Sequence, residues 1–202
     1  MFHLTTPCTF RFREKASVFL TELHPIANSE ERVAILTRIK KRDFDATHHC
    51  SAWRQGAPVE AFGQDDDGEP SGTAGAPMLR VLEGSQLTDV LAICIRWFGG
   101  TKLGTGGLVR AYTEGVQGVI AEAQTQDLLQ EIRILRSASI TVSAELAHLP
   151  FALLGAFPGV EIQGQDFGTH EARISFRIPP GRESELDKAW QERSRGGKID
   201  WD

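Results

Sequence analysis

The chain reads as an α+β protein in two parts, and three observations carry that reading. Segments with strand-like alternation and segments with helical periodicity both occur along the first 126 residues. Apolar periodicity then stops at the polar stretch Gln124-Thr125-Gln126-Asp127 and restarts after Glu131, which places a boundary between domains 1–126 and 127–202. From residue 133 onward the pattern runs strand, helix, strand, strand, helix, strand, the βαββαβ order of a ferredoxin-like domain.

Each element has a local reason. Met1 to Pro7 reads as a tail or an edge segment. Thr9 to Arg13 and Ser17 to Thr21 alternate apolar and polar residues, as one or two strands would. Ser29 to Arg42 is an amphipathic helix capped by Asn28 or Ser29, with Glu30 and Glu31 in its first turn and Lys40, Lys41 and Arg42 in its last. That basic run is a favourable charge placement at a helix C-terminus; the alternative is a phosphate patch. Ala46 to Trp53 is a strand. Thr73 to Glu83 is a short helix, with its start near Ser71 or Thr73 and Met78, Leu79 and Leu82 turned to the core. Val90 to Trp97 is a nearly unbroken apolar run, the pattern of a buried strand. Leu108, Val109, Tyr112, Val116, Val119 and Ile120 recur at helical spacing, and Gly115 and Gly118 in that helix predict close packing on a sheet. In the second part, strands are expected at 133–145, 160–167, 171–178 and 199–201, and helices at 149–157 and 183–194.

Composition limits the function. The 202 residues, 41% hydrophobic, suffice for a good core, and a net charge of −5 excludes a surface that is basic throughout. Neither half is basic overall, so any nucleic acid would meet a local patch. Cys8, Cys50 and Cys94 are odd in number and lack metal-ligand spacing, which fits a reducing compartment. With no signal-like start and no apolar run of membrane length, the expected location is the cytoplasm, without a membrane partner.

The chemistry concentrates between Asp65 and Tyr112. Strand 90–97 leads into a loop holding Gly99, Gly100, Gly104, Gly106 and Gly107, and a helix opens near Leu108. Glycines let backbone N–H groups approach a ligand, and a helix start presents unpaired donors and the positive end of its dipole. The candidate phosphate- or nucleic-acid-binding residues are Arg96, Gly99, Gly100, Lys102, Gly104, Thr105, Gly106, Gly107 and Arg110. Three cations around one set of backbone donors predict a small positive concavity. The P-loop pattern is not met, since Thr105 follows Gly104 where lysine belongs, and Val109 takes the place of the third glycine of a dinucleotide fingerprint. A plain strand-to-helix turn is the alternative.

Asp66, Asp67 and Glu69 form an acidic turn. Pro70 occupies the position where a calcium loop needs glycine, so the turn reads as structural, with a Mg²⁺ role beside a phosphate as the alternative. On the strand before it, His48 and Cys50 share a face and His49 takes the other, which argues against a zinc site. No resident metal, cofactor or catalytic residue is expected: the C-terminal part has no triad spacing, and the chain shows no evident base beside a nucleophile.

Taken together, Asp66-Asp67-Gly68-Glu69-Pro70-Ser71-Gly72-Thr73-Ala74-Gly75 and Arg96-Trp97-Phe98-Gly99-Gly100-Thr101-Lys102-Leu103-Gly104-Thr105-Gly106-Gly107-Leu108-Val109-Arg110-Ala111-Tyr112 resemble the signature of the Impact family. The likeness extends upstream through Asp45 to Cys50, and the C-terminal part looks like the small α+β domain of bacterial members. Trp97 departs from the tyrosine more common in the family but keeps a large aromatic ring.

The resemblance implies a first domain similar to a ribosomal-protein domain and to domain IV of the translocating elongation factor, and a second similar to that factor's last domain. It thereby points to translation, with RNA or the ribosome as partner and a protein partner as a further candidate. Eukaryotic members act through an added N-terminal recruitment domain for which this chain has no room, so their partner system is not carried over. Two other functions stay open: a phosphometabolite- or nucleotide-binding enzyme using the loop with Mg²⁺, and a protein–protein adaptor presenting Trp97 and Phe98. The sequence leaves the oligomeric state undetermined.

Overall fold

In the computed structural model, which describes residues 1–194 and 197–202, the chain divides into two units, Met1–Ile132 and Arg133–Asp202. The first contains β1 (Phe2–Leu4), β2 (Cys8–Glu14), β3 (Ser17–Pro25), α1 (Ser29–Arg42), β4 (His48–Gln55), β5 (Ala61–Asp65), α2 (Gly75–Gly84), β6 (Val90–Trp97), α3 (Thr105–Thr125) and β7 (Leu129–Glu131). Five of these strands form one antiparallel sheet in the order β2-β3-β6-β4-β5.

The central strand β6 explains its own composition. Val90, Ala92 and Cys94 belong to the core under α2 and α3, while Leu91, Ile93 and Ile95 pack with Ile35 and Ile39 of α1. Helices therefore cover both faces, and a strand enclosed in this way has no need of polar residues at alternate positions. Gly115 and Gly118 let α3 lie close to the sheet: a Cβ on either would come within 2.4 Å of Thr21 Oγ1 or 2.3 Å of the Phe10 ring. The expected reason for those glycines is thus met.

Helix α1 matches its expected bounds, and Asn28 is its cap: its side chain accepts the Glu31 N–H at 2.8 Å, while Glu31 accepts the Ala27 N–H. Helix α2 starts at Gly75, a turn later than its first expected start. Strand β5 was not foreseen. It is a short, exposed edge strand with Gly63 at its middle, and the Trp53 ring of the neighbouring strand lies over that glycine.

The first unit ends at Ile132, a few residues beyond the polar stretch, because β7 pairs with β1 (Leu4 opposite Leu129, Phe2 opposite Glu131). Long-range pairing of this kind leaves no mark in local periodicity.

The second unit holds β8 (Arg136–Ser143), a 3₁₀ turn at Ala144–Leu146, α4 (His148–Ala156), β9 (Glu161–Phe167), β10 (Glu171–Ile178), α5 (Glu183–Ser194) and β11 (Asp200–Trp201). Its sheet order, β11-β8-β10-β9 with every neighbour antiparallel, is the ferredoxin-like arrangement that the element order predicts. Ile140, Ile174, Phe176, Ile178, Leu186 and Trp190 make its core.

Candidate anion-binding site

The two sequence motifs meet at one cavity. It has a volume of about 330 Å³ and is lined by Glu69 and Pro70 from the acidic turn, Arg96 at the end of β6, Phe98, Lys102, Leu103 and Gly104 from the glycine loop, and Thr105 and Leu108 from the first turn of α3. Gly99 opens the loop against the β2–β3 turn, where a Cβ would sit 1.8 Å from the Ala16 carbonyl oxygen, so no other residue fits. Gly104 has φ +74° and is the N-cap residue of α3 without a side-chain cap. The first intrahelical bond is donated by Leu108 to the Gly104 carbonyl, which leaves the N–H groups of Thr105, Gly106 and Gly107 to solvent or a ligand. Lys102, Thr105 and Gly106 are exposed.

The acidic turn serves the fold instead of facing outward. Asp66 accepts the N–H groups of Gly72 (2.7 Å), Ala74 (3.0 Å) and Gly75 (2.8 Å), closing the turn onto the start of α2. Burial raises its pKa, but these three donors outweigh burial and hold the carboxyl below its usual 3.8. Asp67 takes Lys40 Nζ at 2.7 Å and the His49 N–H at 2.6 Å, and these likewise overcome the effect of burial to keep it ionised. Arg42 of the same basic run bonds Glu22 and Asp43. The run is thus the structural charge placement at the end of α1, with Lys41 exposed.

Glu69 is 7% exposed and sits at the centre of a buried polar cluster. Its Oε1 accepts Arg96 Nη1 at 2.6 Å and the Tyr112 hydroxyl at 2.7 Å, while Arg96 Nη2 donates to Ser17 Oγ at 3.2 Å. The Cys50 thiol lies 3.3 Å from the Tyr112 hydroxyl and 3.0 Å from the Asp66 carbonyl oxygen, two acceptors for its single hydrogen. Burial pushes the Tyr112 hydroxyl far up, so it remains a donor, and pushes the Cys94 thiol up to about 12. Burial raises the Cys50 thiol as well, so neither thiol is a nucleophile at neutral pH.

One alternative loses its support here and one expectation is corrected. Asp66, Asp67 and Glu69 do not stand free to hold Mg²⁺, since each carboxylate is engaged by protein donors; among the described residues no group of three or more His, Cys, Asp or Glu side chains is arranged to hold a metal. The three-cation concavity also resolves differently. Arg96 is 4% exposed and paired with Glu69, so its charge is offset, and Arg110 is exposed on the second turn of α3, outside the cavity lining. Lys102 remains as the exposed cation at the cavity. Trp97 packs among the residues facing α1, and Phe98 alone of that pair is prominent at the surface, 44% exposed. As expected, His48 and Cys50 lie on the face opposite to His49, in register with Arg96 and Cys94.

Sequence reasoning missed Tyr112, Leu103 and Leu108 as site residues and offered Phe98 only as a protein contact, although all lie in the quoted motif. Three acidic residues confined to one glycine-rich segment, with three basic residues and a buried-type aromatic in the other, are the signal that those segments pack together.

A strand, an uncapped glycine loop and a long helix start around an internally paired acidic turn define the candidate site of an α+β module that is followed by a ferredoxin-like domain. The family model described as the Impact N-terminal domain matches residues 15–120. The IMPACT family member YigZ of Escherichia coli is 43% identical over 196 residues, covering 94% of this chain and 91% of that protein. An IMPACT family member of Haemophilus influenzae is 49% identical over 105 residues, and that match spans about half of each, 51%. A crystal structure described as that of a hypothetical protein is 31% identical, with a TM-score of 0.61 over 99% of this chain and 95% of the other. The chain belongs to the IMPACT family.

Proposed function

We propose that this protein is a non-enzymatic, translation-associated binding protein that engages RNA or the ribosome through the glycine loop between β6 and α3. One observation carries the reading: the uncapped first turn of α3 opens into a cavity that both family motifs line, with Lys102 exposed beside it. Partial positive charge from the helix start and a full charge from Lys102 favour an oxyanion there, and each such contact with a nucleic-acid backbone displaces a counterion. Family membership supports the link to translation by resemblance. The engaged carboxylates count against a Mg²⁺-dependent enzyme at the same loop.

The test is a salt titration of binding to purified ribosomes and to a mixed-sequence RNA. Lys102→Ala and Arg110→Ala are expected to weaken binding across sequences and to lower the slope of log affinity against log salt by about one for each phosphate no longer engaged. Lys188→Ala, on α5, is the control. Unchanged affinity and slope in both loop variants would reduce the loop to a turn.

A further inference from the structure

The cavity has chemistry that backbone phosphate binding does not use. Its volume of about 330 Å³ lies at the small end of the range for small-molecule sites, about 300–1,000 Å³. That is room for one nucleotide and far too little for a duplex. Pro70, Phe98, Leu103 and Leu108 give it an apolar wall, while Lys102, Gly104 and Thr105 supply the charge and the free N–H groups.

Phe98 is held in place yet accessible. Its N–H donates to Thr47 Oγ1 at 3.0 Å and the Arg96 guanidinium lies 5.4 Å from its ring centroid, but the residue is 44% exposed. Arg96 adds a second, independent sign of a ligand. Its side chain is only 5% exposed and borders the cavity, and among the described residues its buried Nε–H has no acceptor. An unsatisfied buried donor is costly and calls for a partner. Because Glu69 already offsets the Arg96 charge, the matching acceptor is a neutral oxygen, such as a base carbonyl or a ribose hydroxyl, and not a second phosphate.

We propose that the cavity takes one unpaired nucleotide, its base against Phe98 and the apolar wall, its phosphate at the first turn of α3 beside Lys102. The inference rests on the RNA-binding reading and narrows it to single-stranded RNA at this site, since a base within a duplex is stacked and its face is closed.

The experiment compares uridine monophosphate with inorganic phosphate by NMR titration. It also compares a short oligouridylate with an RNA duplex of equal length by fluorescence anisotropy, using wild type, Phe98→Ala, Phe98→Tyr and Lys102→Ala. The expected result is that the mononucleotide binds about tenfold more tightly than phosphate. Phe98→Ala should abolish that difference and weaken the oligouridylate about tenfold at every salt concentration, with an unchanged salt slope and unchanged duplex binding; Phe98→Tyr should restore it. Thermal melting confirms that the variants fold. If Phe98→Ala is silent while Lys102→Ala still lowers the slope, the nucleotide site is overturned and the anion-binding loop stands. If Lys102→Ala and Arg110→Ala are silent as well, both fall. Equal affinity for phosphate and mononucleotide, or equal loss of duplex and single-strand binding in Phe98→Ala, also overturns the proposal.

Discussion

Replacing Glu69 with alanine should be among the most damaging single changes in the first unit. It would strand the Arg96 guanidinium, 4% exposed, without its counter-charge and remove the acceptor of the Tyr112 hydroxyl. Breaking a buried ion pair from one side costs about 3–5 kcal/mol, and because the hydroxyl shares the same oxygen its loss is not added in full. With an unfolding entropy of about 2.1 cal/mol/K per residue, a unit of 132 residues loses about 14 °C of melting temperature for a destabilisation of about 4 kcal/mol. Calorimetry would show the transition of the first unit moving down by that amount while that of the second stays in place. The companion variant Glu69→Leu/Arg96→Met/Tyr112→Phe removes all three polar partners together and should melt well above Glu69→Ala, since no charge is left buried. A Glu69→Ala protein melting within about 3 °C of wild type, or a triple variant no better than the single, would refute the argument.

Other consequences follow from burial and from the unit structure. Burial, the largest influence on His49, lowers its pKa below the ordinary 6.5 despite the opposing pull of Asp67. The unfolded chain therefore takes up a proton that the fold resists, so stability of the first unit should begin to fall as pH drops below about 6.5. Asp66 and Asp67 have depressed values, so their contribution is present above about 3.8 and lost as pH falls through their folded values. In His49→Leu the upper step should vanish and the acid step remain, as read by urea unfolding across pH; a single fall confined to acid pH in both proteins would contradict this. We also propose that the second unit folds alone: residues 133–202 carry their own core and their own four-stranded sheet, and should show a cooperative thermal transition by circular dichroism. A featureless melt would count against it.

The depth of the polar cluster explains why the site was only partly legible beforehand. Glu69, Arg96 and Tyr112 each sit in a motif segment that reads plainly as a turn, a strand end or a helix. Nothing in the spacing of 69, 96 and 112 says that one carboxylate oxygen joins the other two. A carboxylate beside glycines and a serine suggests a metal or phosphate turn, and an arginine before a glycine loop suggests a free cation. The metal alternative and the free-cation reading lose their support because partners lie on other elements: Lys40 on α1 engages Asp67, the N–H groups at the start of α2 engage Asp66, and Arg96 at the end of β6 pairs with Glu69 of the acidic turn.

What the sequence determined by itself was everything governed by near neighbours along the chain. The caps and charges of α1, the doubly covered β6, the small residues on α3 and the βαββαβ order of the second unit all follow from periodicity, propensity and turn chemistry, which act over a few residues. Tertiary structure alone decided the pairing of β1 with β7, the edge strand β5, and the burial of the Arg96–Glu69 pair at the base of the cavity. These depend on contacts between residues far apart in sequence. Their energies come from desolvation and from partners that no local window contains.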